Sequence, residues 1–297
     1  MVAAERLMPQ VDVAFRGDDR LGECPAWNAA ERALYWIDGL KPALHRLEAS
    51  GTRSSWPMPQ PIGSFAFRGR GGLIGAFKGG FAAIGLPGGH VAPLCDPEPD
   101  RPTNILNDGK CDRRGRYWCG SRTADLASPV ASLFRLDRDL HCRRMDDGFA
   151  VSNGIAWSPD DRTMYFADSP SGMIFAYDFD LDGGEIRNRH VFAATAGLGG
   201  LPDGAAVDDD GHYWCALFGG GAIARFDPRG RLVATLEIPA KNPTMCTFGG
   251  ERLDVLYVTS ARARMSDAEL TAQPLSGSLF AITGMGIRGV PGTNFAG

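Results

Sequence analysis

No stretch of the sequence approaches the roughly 18 to 20 consecutive apolar residues that cross a bilayer, so membrane insertion is not expected. The opening residues, among them Glu5, Arg6, Asp12 and Arg16, hold no continuous apolar segment of the signal-peptide type, and a cytoplasmic location is expected. Long runs of Lys or Arg are also missing. The 31 basic residues stand against 35 acidic ones, a formal net charge of −4, which leaves no electrostatic footprint for a phosphate backbone; nucleic acid is not an expected partner. Histidine is scarce: the five present form no H-x-x-x-H pair, which argues against a His-rich metal site. The seven cysteines (Cys24, Cys95, Cys111, Cys119, Cys142, Cys215 and Cys246) are odd in number, scattered and free of any C-x-x-C. Buried thiols in a reducing compartment fit this pattern better than a zinc ribbon or a disulfide framework.

What the chain does contain is a repeat. A short aromatic or apolar triplet after a polar turn recurs as Leu34-Tyr35-Trp36-Ile37, Gly72-Leu73-Ile74, Arg116-Tyr117-Trp118, Thr163-Met164-Tyr165-Phe166, His212-Tyr213-Trp214 and Val255-Leu256-Tyr257-Val258. These six copies lie roughly 38 to 49 residues apart, the period of a propeller or solenoid. Turns such as Asp112-Arg113-Arg114-Gly115, Pro159-Asp160-Asp161-Arg162 and Asp208-Asp209-Asp210-Gly211 precede the triplets, and short strand-forming runs such as Ser132–Leu136 and Ser278–Ile282 follow them. Six units of three or four strands predict an all-β fold, a six-bladed β-propeller. No linker divides the chain. A single domain over residues 1–297 is expected, with blades from about residue 11 to about 285. The alternating Val11–Phe15 segment is expected to close the ring as an outer strand of the last blade, and Ser266-Asp267-Ala268-Glu269 has the spacing of a helix capping box.

In a propeller, the innermost strands line a central channel, so equivalent repeat positions form a ring. Counting back about 11 to 13 residues from each triplet gives Glu23, Gly63 or Ser64, Asn107, Asn153, Asp203, and Thr244 or Met245. Four of the six carry oxygen donors. Asn-Gly and Asp-Gly are common turn dipeptides, but turns have no reason to share one register. Two carboxylates and two amide oxygens gathered at a channel mouth call for one divalent cation: Ca, Mg, Mn or Zn.

These residues carry a resemblance. The blocks Leu21-Gly22-Glu23, Asn107-Asp108-Gly109-Lys110-Cys111-Asp112, Ser152-Asn153-Gly154-Ile155-Ala156-Trp157-Ser158-Pro159-Asp160, Pro202-Asp203-Gly204 and Phe248-Gly249-Gly250 occur in the order found in the SMP-30/gluconolactonase/regucalcin-like family of sugar lactonases, which the chain resembles over nearly its whole length. The resemblance implies a metal site in the central channel, with Glu23, Asn153 and Asp203 as ligands of one divalent ion (Ca, Zn, Mn, Mg or Fe(II)) and Asn107 beside the substrate. It also implies hydrolysis of a small aldonolactone, such as xylono-, arabinono- or gluconolactone, in carbohydrate catabolism, with Asp203 positioning or deprotonating the attacking water. One position departs from the pattern: Ile105 stands where many members have a substrate-binding Arg, and Arg101 or Arg122 is the candidate replacement. Arg122 and Asp125 are expected to contact substrate, with Trp27 and Phe65 as further neighbours. A phosphotriesterase-like hydrolase and a non-enzymatic metal-binding or docking propeller are the competing readings.

Overall fold

Each triplet opens or lies in the second strand of a four-stranded antiparallel sheet, and the apolar run after it forms the third. A computed structural model describes residues 9–297; Glu5 and Arg6 lie outside the described residues. Six such sheets make a six-bladed β-propeller. Their innermost strands are Gly22–Asn28, Ile62–Phe67, Ile105–Cys111, Ser152–Trp157, Leu201–Val207 and Pro243–Gly249, taken below as blades 1 to 6. Blade 6 takes its outermost strand from the other end of the chain: Gln10–Phe15 pairs antiparallel with Leu279–Thr283, Val11 opposite Ile282. The ring closes as expected. Asp267–Ala272 is the one α-helix among the described residues, and its capping box joins Ser266 and Glu269. No helix among them is long and apolar enough to cross a membrane.

Apolar side chains alternate along the strands and meet across the seams between blades, one buried cluster to each seam. Burying each large apolar side chain is worth roughly 1.5–3 kcal/mol, so a seam with ten or more buried members is held firmly. The closing seam between blades 6 and 1 has only three, Leu34, Trp36 and Leu279. Polar ties supplement it. Asp19 N–H donates to the Gly277 carbonyl at 3.2 Å, and Arg262 and Ala263 N–H groups donate to the carbonyls of Asp19 and Arg20 at 3.2 and 2.9 Å.

The Asp19 carboxylate at this seam is buried, accepts from Trp36 Nε1 at 2.8 Å and lies 3.6 Å from His45 Nε2. His45 Nδ1 is 2.9 Å from both an Arg53 nitrogen and Ser55 Oγ; a guanidinium only donates, so Nδ1 accepts and the ring proton sits on Nε2. Burial, with Arg53 adding to it, pushes the imidazole down to about 4, and burial pushes the Asp19 carboxyl up to about 7. The contact is therefore not an ion pair at neutral pH. An unfolded aspartate ionises near 3.9, so Asp19's favourable contribution is complete below about pH 4 and is lost as pH rises to about 7. Melting temperatures taken from pH 5 to 8 should accordingly fall more steeply for the native chain than for Asp19→Asn. Parallel curves would show that this carboxyl titrates normally.

The last residues cross the face away from the inner-strand starts. Arg288 and Gly289 bond to Asp209 of blade 5 and Leu253 of blade 6, while Phe295 and Ala296 bond to Phe67 and Gly69 of blade 2 and Gly115 of blade 3. Phe295 is fully buried in the seam between blades 2 and 3. All seven cysteines are free. Five are buried as expected, but Cys95 and Cys142 are half-exposed, because they lie at the ends of outer strands.

Candidate functional site

Glu23, Asn107, Asn153 and Asp203 all lie near the start of an inner strand, and in every blade the inner strand slips register at that level. The irregularity falls between Glu23 and Ala26, Ile62 and Ser64, Leu106 and Gly109, Asn153 and Ala156, Pro202 and Ala205, and Pro243 and Met245. A bulge of this kind bends the strand and re-aims its side chains, here toward the channel. The glycines after the site residues therefore lie within bulged strands and not in hairpin turns. Gly154, at φ +65°, shows why: a Cβ there would sit 2.2 Å from the Tyr213 hydroxyl.

Hydrogen bonds tie three of the four together. Asn107 Nδ2 donates to the Ser152 carbonyl at 2.9 Å and to Asn153 Oδ1 at 3.0 Å. Asn153 Nδ2 donates to Ser169 Oγ at 2.8 Å, and Ser169 Oγ donates onward to the Pro202 carbonyl, beside Asp203. Both amides are thus orientated: Asn153 Oδ1 faces the Asn107 amide and its Nδ2 faces the Asp203 side, while Asn107 Oδ1 has no donor among the described residues. Asn153 and Asp203 are 5% and 7% exposed. Glu23 keeps some solvent contact, and the one hydrogen bond to its carboxylate is from Cys24 N–H at 3.3 Å.

A fifth residue belongs here that the register count passes over. Asp108 is 5% exposed; its Oδ2 accepts from Ile155 N–H at 3.1 Å, and its Oδ1 has no partner. Burial drives the Asp108 carboxyl above the usual carboxylate range, against the pull of Lys110. Burial first, then the charges of Asp203 and Asp108, pushes Glu23 well up; burial and then Asp108 do the same to Asp203. Lys110, whose Nζ donates to the Ala205 carbonyl at 2.7 Å, is a cation beside Asp108, and Arg264 acts on Asp203.

Mutually repelling carboxylates in a buried ring, one with an orphaned oxygen, fit a hard divalent cation. No group of three or more His, Cys, Asp or Glu is arranged for a metal among the described residues, so the set Glu23, Asn153 and Asp203 reaches three donors only through the amide oxygen. Sequence patterns of ionisable ligands alone do not reveal such a site.

The outer candidates divide. Arg122 is the cross-strand partner of Ile105, so its guanidinium starts from the same ladder rung as the departing position. It is half-buried, has no carboxylate within 4 Å among the described residues, and is held below its ordinary value by burial and by nearby Arg264. Arg101 is committed elsewhere, to Glu98, Asp100 and the Val130 carbonyl. Asp125 is exposed, and its carboxylate is used by its own loop: Thr123 Oγ1 at 2.8 Å, the N–H groups of Ala127 and Ser128 at 3.1 and 3.0 Å, and Ser128 Oγ. Those bonds hold the carboxyl well below the usual range. It orders the loop after Arg122 and shares no hydrogen bond with the ring. Phe65 is buried in the seam between blades 1 and 2, and Trp27 lies at the far end of its strand, stacked on Tyr257 at 6.1 Å; neither lines the mouth as expected.

Residues 21–262 match the family model described as SMP-30/Gluconolactonase/LRE-like region. A 6-deoxy-6-sulfogluconolactonase from Pseudomonas putida is 37% identical over 278 residues, covering 93% of this chain and 95% of the relative. Regucalcin from Gallus gallus is 34% identical over 299 residues, covering 98% and 100%. Among solved structures, a calcium-binding protein, regucalcin, from Agrobacterium tumefaciens superposes with a TM-score of 0.91 at 28% identity, covering 95% of this chain and 96% of that one.

Proposed function

Because the chain belongs to the SMP-30/gluconolactonase/LRE-like family, we propose that it hydrolyses a sugar lactone to the aldonic acid at the channel mouth, with Glu23, Asn153 and Asp203 holding one divalent metal ion. The observation that carries this reading is the buried ring itself: carboxylates from blades 1, 3 and 5 face one another, with Lys110 beside Asp108 and Arg264 acting on Asp203. When bound, a divalent cation supplies Lewis acidity toward the lactone carbonyl oxygen and lowers the pKa of a water nearby. The hard-oxygen donor set suits Ca, Mg or Mn, and Zn or Fe(II) remain candidates for the assay.

The chain's own groups do the rest. Asp203 accepts the proton of the attacking water as oxygen adds to the carbonyl carbon and returns it to the ring oxygen as the carbon–oxygen bond breaks, so that the ring oxygen departs as a hydroxyl of the acid. Burial and Asp108 favour proton uptake by Asp203, while a bound cation opposes it. Both donors of Asn107 are spent on Ser152 and Asn153, so the amide offers a substrate hydroxyl its oxygen, an acceptor. Arg122 supplies the complementary donors from beside Ile105. A site that pairs with each hydroxyl in this way discriminates sharply among lactones.

Acid release from a panel of pentono- and hexonolactones, including glucono-δ-lactone and 6-deoxy-6-sulfogluconolactone, tests the reading. Chelated protein should give only the spontaneous rate, and resupply with Ca, Mn, Mg, Zn or Fe(II) should restore turnover. No rate above background with any metal, while calorimetry shows that a metal binds, would sink it.

A further inference from the structure

Beside the ring, on the same face, is a cavity of about 380 Å³ lined by Asp18, Arg20, Lys41, Arg262, Arg264 and Met265, with Ala263 and Leu270. The polar ties of the closing seam build it. The Arg262 and Ala263 N–H groups bond to the Asp19 and Arg20 carbonyls, which brings the loop after blade 6's second strand against the entry to blade 1. Four cationic side chains face one carboxylate there, and that carboxylate, Asp18, already lies 3.7 Å from Lys41. Arg20, Arg262 and Arg264 have no carboxylate within 4 Å among the described residues. Arg20 and Arg264 are exposed and Arg262 is half-buried, so their charges stand open to solvent at the rim of the concavity.

Arg264 joins this cavity to the ring. It packs over Phe218, 6.0 Å from the ring centroid, and is near enough for its charge to act on both Arg122 and Asp203. Three unpaired arginines around a concavity, next to a small-molecule site, call for an anion. The cavity's size and the chain's net charge of −4 point away from a nucleic acid or anionic membrane and toward a group carried by the substrate itself.

Building on the lactonase reading, we propose that Arg20, Arg262 and Arg264 form a subsite for a tetrahedral anionic substituent, a sulfonate or phosphate, on the carbon of the lactone remote from its carbonyl. Forked guanidinium donors match the oxygens of either group, and the charge steers such a lactone to the mouth. The neutral lactone leaves the subsite empty.

The test compares kcat/KM for glucono-δ-lactone, its 6-phosphate and 6-deoxy-6-sulfogluconolactone, in the native protein and in Arg264→Asn and Arg262→Gln. Asn is chosen at 264 because that residue sits at φ +60°, a conformation Asn tolerates. Native protein should prefer one anionic lactone by about tenfold or more, through KM, and that preference should fall by about tenfold in each variant and weaken in added salt. A larger preference for the sulfonate identifies a monoanion site, and for the phosphate a dianion site. Calorimetry on the metal-free protein adds a second readout: 6-phosphogluconate should bind more tightly than gluconate, and less so in the variants. Equal use of neutral and anionic lactones, unmoved by the substitutions, would overturn the subsite and leave the lactonase reading intact. If no lactone is turned over, that reading falls and calorimetry alone decides: selective 6-phosphogluconate binding lost in the variants upholds the anion pocket, and equal binding overturns it.

Discussion

Asp203→Asn is expected to lower kcat/KM for lactone hydrolysis by about 10²- to 10⁴-fold, the usual worth of a positioned general base. The substitution preserves side-chain volume at a site only 7% exposed and keeps an oxygen beside the ring, so the blade-5 strand has no reason to repack. What it removes is the ability to take a proton. Calorimetry with the divalent cation separates this from simple loss of metal, because Glu23 and Asn153 remain as donors in the variant. Retained cation binding with the rate gone supports Asp203 as base; retained binding with a normal rate assigns the proton elsewhere, and Asp108, with its orphaned Oδ1, becomes the next group to replace.

The largest expected loss of stability follows from one atom. Gly154→Ala places a methyl group 2.2 Å from the Tyr213 hydroxyl and 3.1 Å from the Ala167 methyl, in a backbone at φ +65°. Tyr213 cannot withdraw, since it is fully buried and its hydroxyl donates to the Gly154 carbonyl at 2.8 Å. Left-handed strain of roughly 1–2 kcal/mol and overpacking of about 1–3 kcal/mol combine to about 3 kcal/mol or more. At roughly 2–4 °C per kcal/mol, the melting temperature should drop by about 6–12 °C. Gly148→Ala is the matched control: its φ is +87°, but nothing lies within 4 Å of the added carbon, so only the backbone strain is incurred. Equal shifts in the two variants would mean that the Tyr213 contact relaxes without cost.

The propeller was legible because its signal is redundant, with six apolar triplets, five of them aromatic, each reporting the same strand. The ring residues were legible for a related reason. The bulge recurs at one level in all six inner strands, so a constant count back from the triplet lands on equivalent positions even though the count knows nothing of the bulge. Asp108 escaped the same count: it neighbours Asn107, and strict alternation would turn adjacent residues to opposite faces. The register slip between Leu106 and Gly109 breaks that alternation. Phe65 and Trp27 failed for the opposite reason, since nearness in sequence to a ring position does not say whether a side chain faces the channel or a seam. Asp125 depended on loop geometry, where short side chains commonly bond to their own backbone, and no periodicity reports that. The basic cavity draws on Arg20 and on Arg262 and Arg264, over 240 residues apart along the chain, and only closure of the ring brings them together.

That closure also sets a timetable for the newborn chain. Val11 waits for Ile282, some 270 residues later, and at about 5–20 residues per second a ribosome takes roughly 15 to 50 seconds to deliver it. Through that interval the earlier blades can stack on one another as they emerge, while Gln10–Phe15 travels as a lone strand with both edges open. Asp12 in its middle and Arg16 just beyond are charges of the kind that keep such a strand from pairing with the wrong neighbour, most dangerously the same strand of a second chain on the same message.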